Sequence, residues 1–435
     1  MNKKHQLLLV VAVGITLAAP ASWADTVAVG TCRSHLTSYS TIQAAVNAVK
    51  SGSTILVCPG FYPEQVTIHK QLTVEGVQAG TANAAVITSP ATGLVGNATS
   101  LTSGNPIAAQ ILVSNTLGPV DISNLTIDGA NNLITGCLPN PMGIFYQNAS
   151  GTISEVATRN QSISPYSSFG GCQSGLGIFV QSGGTGAITT SHVTVSGSTV
   201  HDYQKNGITG NEAGTRLTVL GNSVMGMGPV SGAAQHGIQI GYGATGTIQG
   251  NSVFDDIWAP DTINDAGDAA AGILLYASSG VYVYGNNVGD TQFGIAVVTD
   301  PAFPPADSNR IKANQVSGTH IFDGIDVCSN NNRIRDNIVN TIDEAGIHID
   351  STCTGGNSGN IVTNNTINEA CAGLLTGATP QDNVLVPNFL FNVTNTQLAG
   401  DTCGSGPAIS AGTTAGANLP HHVAGTHRNY APVRP

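Results

Sequence analysis

The chain has 435 residues, of which 54 are glycine and only 9% are charged, and its formal net charge is −11. That length holds a sizeable core, and the acidic balance excludes general binding to nucleic acid or to anionic membranes. Isoleucine and valine recur too regularly for a disordered chain of polar composition.

Residues 1–24 have the three parts of a secretory signal. Lys3 and Lys4 are the positive region, residues 7–19 an apolar stretch too short to span a bilayer comfortably, and Ser22-Trp23-Ala24 a small-residue cleavage site. The mature chain is therefore expected to begin at Asp25. No later stretch is long and apolar enough for a membrane span, and the residue directly after the cleavage site is Asp25 and not a cysteine that could be lipidated. The expectation is export and release, secreted or periplasmic, without membrane insertion.

Residues 39–49 read as an amphipathic helix, with Ser40 as cap and Ile42, Ala45, Val46 and Val49 on one face. It leads into a strand at 54–58, a Pro59-Gly60 turn and a strand at 66–68. All 8 cysteines follow the signal, which favours disulfides in an exported chain. Taken in order they form neighbouring pairs: Cys32 with Cys58, Cys137 with Cys172, Cys328 with Cys353, and Cys371 with Cys403. None has the C-x-x-C spacing of a zinc site.

From about residue 200 two elements alternate. A small-Gly-Ile-x-Ile element recurs at Gly207, Gly237, Gly272, Gly294, Gly324, Gly346 and Gly373, roughly 22 to 35 residues apart. An Asn-x-Val element recurs at Asn222, Asn251, Asn286, Asn314, Asn337 and Asn365. Their apolar residues alternate with a period of two and are cut by Gly and Asn, so each unit is a set of strands rather than of helices. One such coil cannot bury its apolar face alone, and stacking at the strand spacing of ~4.8 Å closes a continuous core. Asn before a strand suits a left-handed corner and can ladder with the Asn of the next coil. The long insertions after Phe254 and around Pro301 to Asp307 are the natural places for function. Residues 401–435, rich in Gly, Ala and Pro, read as a C-terminal cover or tail. Residues 25–400 form one elongated solenoid domain, expected to be monomeric.

The opening stretch, from Thr41-Ile-Gln-Ala-Ala-Val46 through Ile55-Leu-Val-Cys-Pro-Gly-Phe-Tyr62-Pro-Glu64 to Leu72-Thr-Val-Glu-Gly76, resembles pectin methylesterases and their repeat relatives. The resemblance is to the pectin-lyase-like superfamily and covers nearly all the mature chain. It implies an all-β fold, a single-stranded right-handed parallel β-helix with an N-terminal capping helix. The enzyme signatures are another matter. The Gly-x-Val-Asp-Phe-Ile-Phe-Gly segment of methylesterases and the R-x-P-x-x-R segment of pectate lyases are missing. The nearest echo is of polygalacturonases, in His236-Gly237 and Arg310-Ile-Lys312, but Asp255-Asp256 follows the His-Gly pair where that family's carboxylates precede it.

Aligning coils on Gly-Ile gives an outward row of Thr209, Gln239, Leu274, Ala296, Asp326 and His348. Asp326, His348 and nearby Asp350 are thus candidate acid–base groups on one face, with Asp323, Asp343 and Glu344 close by. The plainer alternative is a solvated cross-strand pair. Aligning on Asn-x-Val places Tyr282 and Tyr284, then Arg310 and Lys312, then Arg333 and Arg335, in adjacent coils. Four of the 14 Lys and Arg residues thus gather beside two tyrosines in an acidic protein. Arg forks hold carboxylates and flat rings stack on sugars, which suggests a strip for an acidic polysaccharide. The alternative is local pairing of Arg335 with Asp336 or Asp307. Asp255, Asp256, Asp261, Asp265 and Asp268 offer oxygen ligands for calcium, without a calcium-loop spacing, and Trp258 offers a sugar platform. No other cofactor is indicated. The readings are a polyuronide-type lyase or glycoside hydrolase, a non-catalytic glycan-binding protein, or a structural or adhesive surface protein.

Overall fold

A computed structural model describes residues 24–400 and Cys403, except 79, 81–83, 164–171, 230–232, 259–269, 352–355 and 378–381. The signal segment before residue 24, Cys353, Asp261, Asp265, Asp268 and nearly all of 401–435 therefore lie outside the described residues.

The period-two segments are strands, and almost all pair in parallel with the equivalent segment one coil away. One 13-stranded sheet takes a strand from each coil, and a second, 22-stranded sheet takes two, one on each side of a sharp corner. One coil thus runs Tyr282–Tyr284 in the first sheet, then Asn287–Gly289 and Phe293–Val298 in the second. The fold is the expected parallel β-helix. Its inward Ile and Val residues form a single apolar cluster from Val27 to Leu374. Each such fully buried side chain contributes about 1.5–3 kcal/mol.

The asparagines do form a ladder. Asn222, Asn251, Asn286, Asn314, Asn337 and Asn365 are buried, and the side-chain oxygen of each from Asn251 onward accepts from the preceding one at 2.8–3.0 Å. The left-handed residue, however, is not the ladder Asn but the residue before it. Gly221, Gly250, Gly285, Ala313, Asp336 and Asn364 have φ between 54° and 65°. The ladder Asn that follows does not have a positive φ, and its amide bonds along the stack.

At the N-terminal end the helix Ile42–Ala48 buries Ile42, Ala45 and Val46. Its cap is Thr41 rather than Ser40: the Thr41 hydroxyl accepts from Ala44 N at 3.1 Å. Glu64 reaches across to accept from Ile42 N and Gln43 N at 2.8 and 2.9 Å, so a carboxylate covers the helix start. Cys32–Cys58, Cys137–Cys172 and Cys371–Cys403 are disulfides, as paired from the sequence. Cys328 is also disulfide-bonded. Such bonds belong to an oxidising compartment. Among the described residues no helix is long and apolar enough to cross a membrane.

The two sheets differ on their outer faces. The first leaves its outward residues half-exposed or exposed, as in Arg333–Arg335, where only Ile334 is buried. In the second, the Gly-Ile strands are buried on both faces. Tyr242, Tyr276, Phe293 and Val298 make an outer apolar layer there, with Phe303 and Phe322 packed on it. The Phe303 ring meets Tyr242 edge-on at 5.0 Å, so the insertion around Pro301 to Asp307 is a cover.

Candidate functional site

The first sheet's outer face is built by register. Thr247, Tyr282, Arg310, Arg333 and Ile361 are successive partners along one row, and Gln249, Tyr284, Lys312, Arg335 and Thr363 along the next. Between the rows Ile248, Val283, Ile311, Ile334 and Val362 point inward and are fully buried. The buried row anchors each strand, so the outward side chains stand at the ~4.8 Å coil spacing. They line a groove of 410 Å³ whose walls include Tyr282, Ser308, Arg310, Lys312, Arg333 and Arg335. The Tyr282 and Tyr284 rings stack at 5.6 Å and 11°, and the Lys312 ammonium sits 5.9 Å over Tyr284. The six residues that sequence alignment placed together are together here.

Charge balance within this groove is poor. Arg310 lies directly opposite Arg333, and Lys312 opposite Arg335. Like charges in directly opposed cross-strand pairs destabilise a sheet, by up to ~1 kcal/mol each. Asp336 is the local counter-charge, 3.9 Å from both the half-buried Lys312 and the exposed Arg335, where such solvent-accessible contacts are worth ~0–1 kcal/mol. Asp307 accepts from Asn330 N at 2.9 Å, and among the described residues it forms no ion pair with Arg335. Among the described residues no carboxylate forms an ion pair with Arg310 or Arg333.

The second candidate set has the expected register and an unexpected environment. Thr209, Gln239, Leu274, Ala296, Asp326 and His348 are successive partners. All six are fully buried, as is Asp350, so the face taken as open is covered. The pattern of alternation could not reveal this, since it fixes which side chains point inward and not what covers the outer face. Asp323 Oδ1 accepts from Ala345 N at 3.0 Å, and its Oδ2 lies 3.1 Å from His348 Nδ1. Asp326 Oδ1 is 3.9 Å from the same nitrogen. This group belongs to the second sheet and the basic groove to the first. One sugar linkage does not reach both, so the structure does not assemble the acid–base pair and the Arg strip into a single site.

The remaining candidates also resolve. His236 and Arg310, the polygalacturonase-like motifs, sit on different sheets, and His236 Nδ1 accepts from Ala271 N at 3.2 Å. Trp258 is 2% exposed and packs with Ala234 and Ala270, so it is not a sugar platform. Asp256 is fully buried and accepts from Tyr203 Oη at 2.6 Å. Burial pushes its carboxyl well above the usual range, against the Tyr203 hydrogen bond, which lowers it. Burial, then the Asp256 carboxyl, push the Tyr203 phenol well above its ordinary value. Lys205 is buried too and donates from Nζ to Ala234 O. A Lys in the Gly-Ile repeat carried no sequence signal for burial.

Comparison with known proteins follows from this geometry. A family model described as the right handed beta helix region matches residues 109–390. A comparison with curated protein sequences finds no match. Among solved structures, a lacto-N-biosidase of Eubacterium ramulus is similar at 13% identity and TM-score 0.57, over 84% of this chain and 68% of that one. The A-module of a mannuronan C-5 epimerase of Azotobacter vinelandii is similar at 16% identity and TM-score 0.54, over 82% and 90%. A surface adhesin of Streptococcus pneumoniae is similar at 13% identity and TM-score 0.50, over 85% and 89%. At such identities the likeness is one of fold.

Proposed function

The chain belongs to the right-handed β-helix family, and from that premise we propose that it is an exported protein that binds an acidic polysaccharide of polyuronide type along its first sheet. The observation that carries this is the groove in which Arg310, Lys312, Arg333 and Arg335 oppose one another as like charges beside stacked tyrosines. A polymer with repeated carboxylates relieves that repulsion, its carboxylates meeting the guanidinium forks and its sugar faces the rings. A mannuronan epimerase among the chains of this fold supports a polymer-directed reading.

Binding is favoured over bond cleavage because the described lining of the groove is basic and aromatic, and the adjacent Asp336 carboxylate stands 3.9 Å from Lys312 and Arg335 as their counter-charge. The acid–base candidates Asp326, His348 and Asp350 are buried on the other sheet. The test is calorimetric titration with pectate, alginate and hyaluronan, with a neutral glycan and single-stranded DNA as controls, repeated for Arg333→Thr/Arg335→Thr. Expected is binding to one or more polyuronides, at least tenfold weaker in the double variant, with neither unsaturated products nor new reducing ends. Binding unaffected by the double variant removes the groove from the reading, and product formation restores the lyase or hydrolase alternative. No binding to any glycan leaves the structural or adhesive alternative, which a surface adhesin of the same fold illustrates.

A further inference from the structure

The outer layer of the second sheet is apolar on both sides of one charged island. Along the Asp326–His348 row, the preceding coils contribute Leu274 and Ala296 and the following coil Leu375, all fully buried. Between them stand Asp323, Asp326, His348 and Asp350, each with no exposed surface. Buried carboxylates are costly unless they are hydrogen-bonded, neutralised or bound to a metal, and a nearby imidazole among them makes a metal-ligating donor set.

The donor atoms of Asp323, Asp326 and His348 lie within 4.8 Å of one another. His348 Nδ1 stands 3.1 Å from Asp323 Oδ2 and 3.9 Å from Asp326 Oδ1. A tetrahedral ion with His nitrogen at ~2.0–2.1 Å and carboxylate oxygen at ~2.0–2.2 Å spaces its ligands by roughly 3.3–3.6 Å, so small side-chain shifts seat an ion among these atoms. Asp350 lies within the same 4.8 Å reach of Asp326 in a second such group, with Cys328. Cys328, the other member of that second group, is disulfide-bonded and offers no thiolate.

We propose that Asp323, Asp326 and His348 hold a buried divalent cation, zinc by donor set, which staples neighbouring coils. The imidazole nitrogen argues for zinc over calcium, which takes six to eight oxygens. The full burial argues for a structural ion rather than a catalytic one with an open position. The ligands come from two consecutive coils, with Asp323 and Asp326 flanking one Gly-Ile turn and His348 following the next. The ion therefore acts across the stack, as the disulfides do. The site is independent of the glycan groove, which lies on the other sheet.

The test uses tag-free mature protein prepared without chelator. Metal content is measured by plasma mass spectrometry, and thermal unfolding is followed before and after EDTA, then after adding zinc or calcium separately. Expected is close to one zinc per chain, a Tm lowered by several degrees in EDTA, and recovery with zinc but not calcium. Asp326→Asn and His348→Gln should each lower zinc occupancy at least tenfold, while Arg333→Thr, on the other sheet, should leave it unchanged. A metal-free wild-type protein whose Tm ignores both EDTA and added zinc would overturn the proposal, whatever the folding of the variants. Recovery with calcium alone would overturn the choice of ion.

Discussion

Asp256 shows how one side chain can carry a pH dependence. Its folded-state carboxyl titrates well above the ordinary 3.8 because it is buried. The folded chain therefore keeps a proton that the unfolded chain has released, so the stability this group contributes is full below about pH 4 and is lost as pH rises toward the folded value. Asp256→Asn, which keeps an acceptor for Tyr203, should match wild type in acid and exceed it increasingly above pH 4. The gap should grow by up to about 1.4 kcal/mol per pH unit, read by urea unfolding at pH 3.5, 5 and 7. The ladder asparagines make a second prediction at this scale. Asn314 donates to Val283 O and Asn337 Oδ1 and accepts from Asn286 N and Nδ2. Truncation leaves several buried polar groups unsatisfied at about 1–3 kcal/mol each, so Asn314→Ala should cost at least about 3 kcal/mol. Sequence located these asparagines but not their geometry. Asn was an apt residue for a left-handed corner, yet Gly221, Gly250 and Gly285 take that role and leave Asn to bond along the axis.

Among elements, the strands of the first sheet were legible in detail, because one face is buried and the other open. Tyr282–Tyr284, Arg310–Lys312 and Arg333–Arg335 pair in the register that Asn-x-Val implied. The Gly-Ile strands were legible in register but not in environment, since their outer face is covered by side chains of the irregular connections, such as Phe303 and Phe322, which do not follow the repeat. That is why Asp326 and His348 read as exposed. The open strands yield a prediction that separates stability from binding. Arg333→Thr/Arg335→Thr removes two like-charge oppositions, so the double variant should be as stable as wild type or more stable, by up to about 1 kcal/mol in urea unfolding, while losing polyanion affinity. Rising salt should narrow both differences, since exposed charges are screened.

For the whole molecule, the period in the sequence specified a stacked solenoid because every coil repeats the same inward Ile and Val positions, and one core results. What the period left open was which outer face is covered. The ends depend on specific tethers. Cys32–Cys58 spans a sequence separation of 26 beside the capping helix, which corresponds to roughly 3.5 kcal/mol of chain entropy. Mild reduction should therefore loosen the first coil before the middle of the stack, seen by hydrogen exchange as early loss of protection at residues 26–29 and 53–57.

The in-register stacking of the first sheet has one more consequence. Each coil adds one outward pair of side chains at a fixed pitch, so the length of the basic groove comes in whole coils. Duplicating or deleting a single coil would shift its reach by one step of the stack without disturbing its neighbours. A lineage built this way can match polymers of different repeat length by counting, as the rungs of a gauge do, instead of reshaping a pocket.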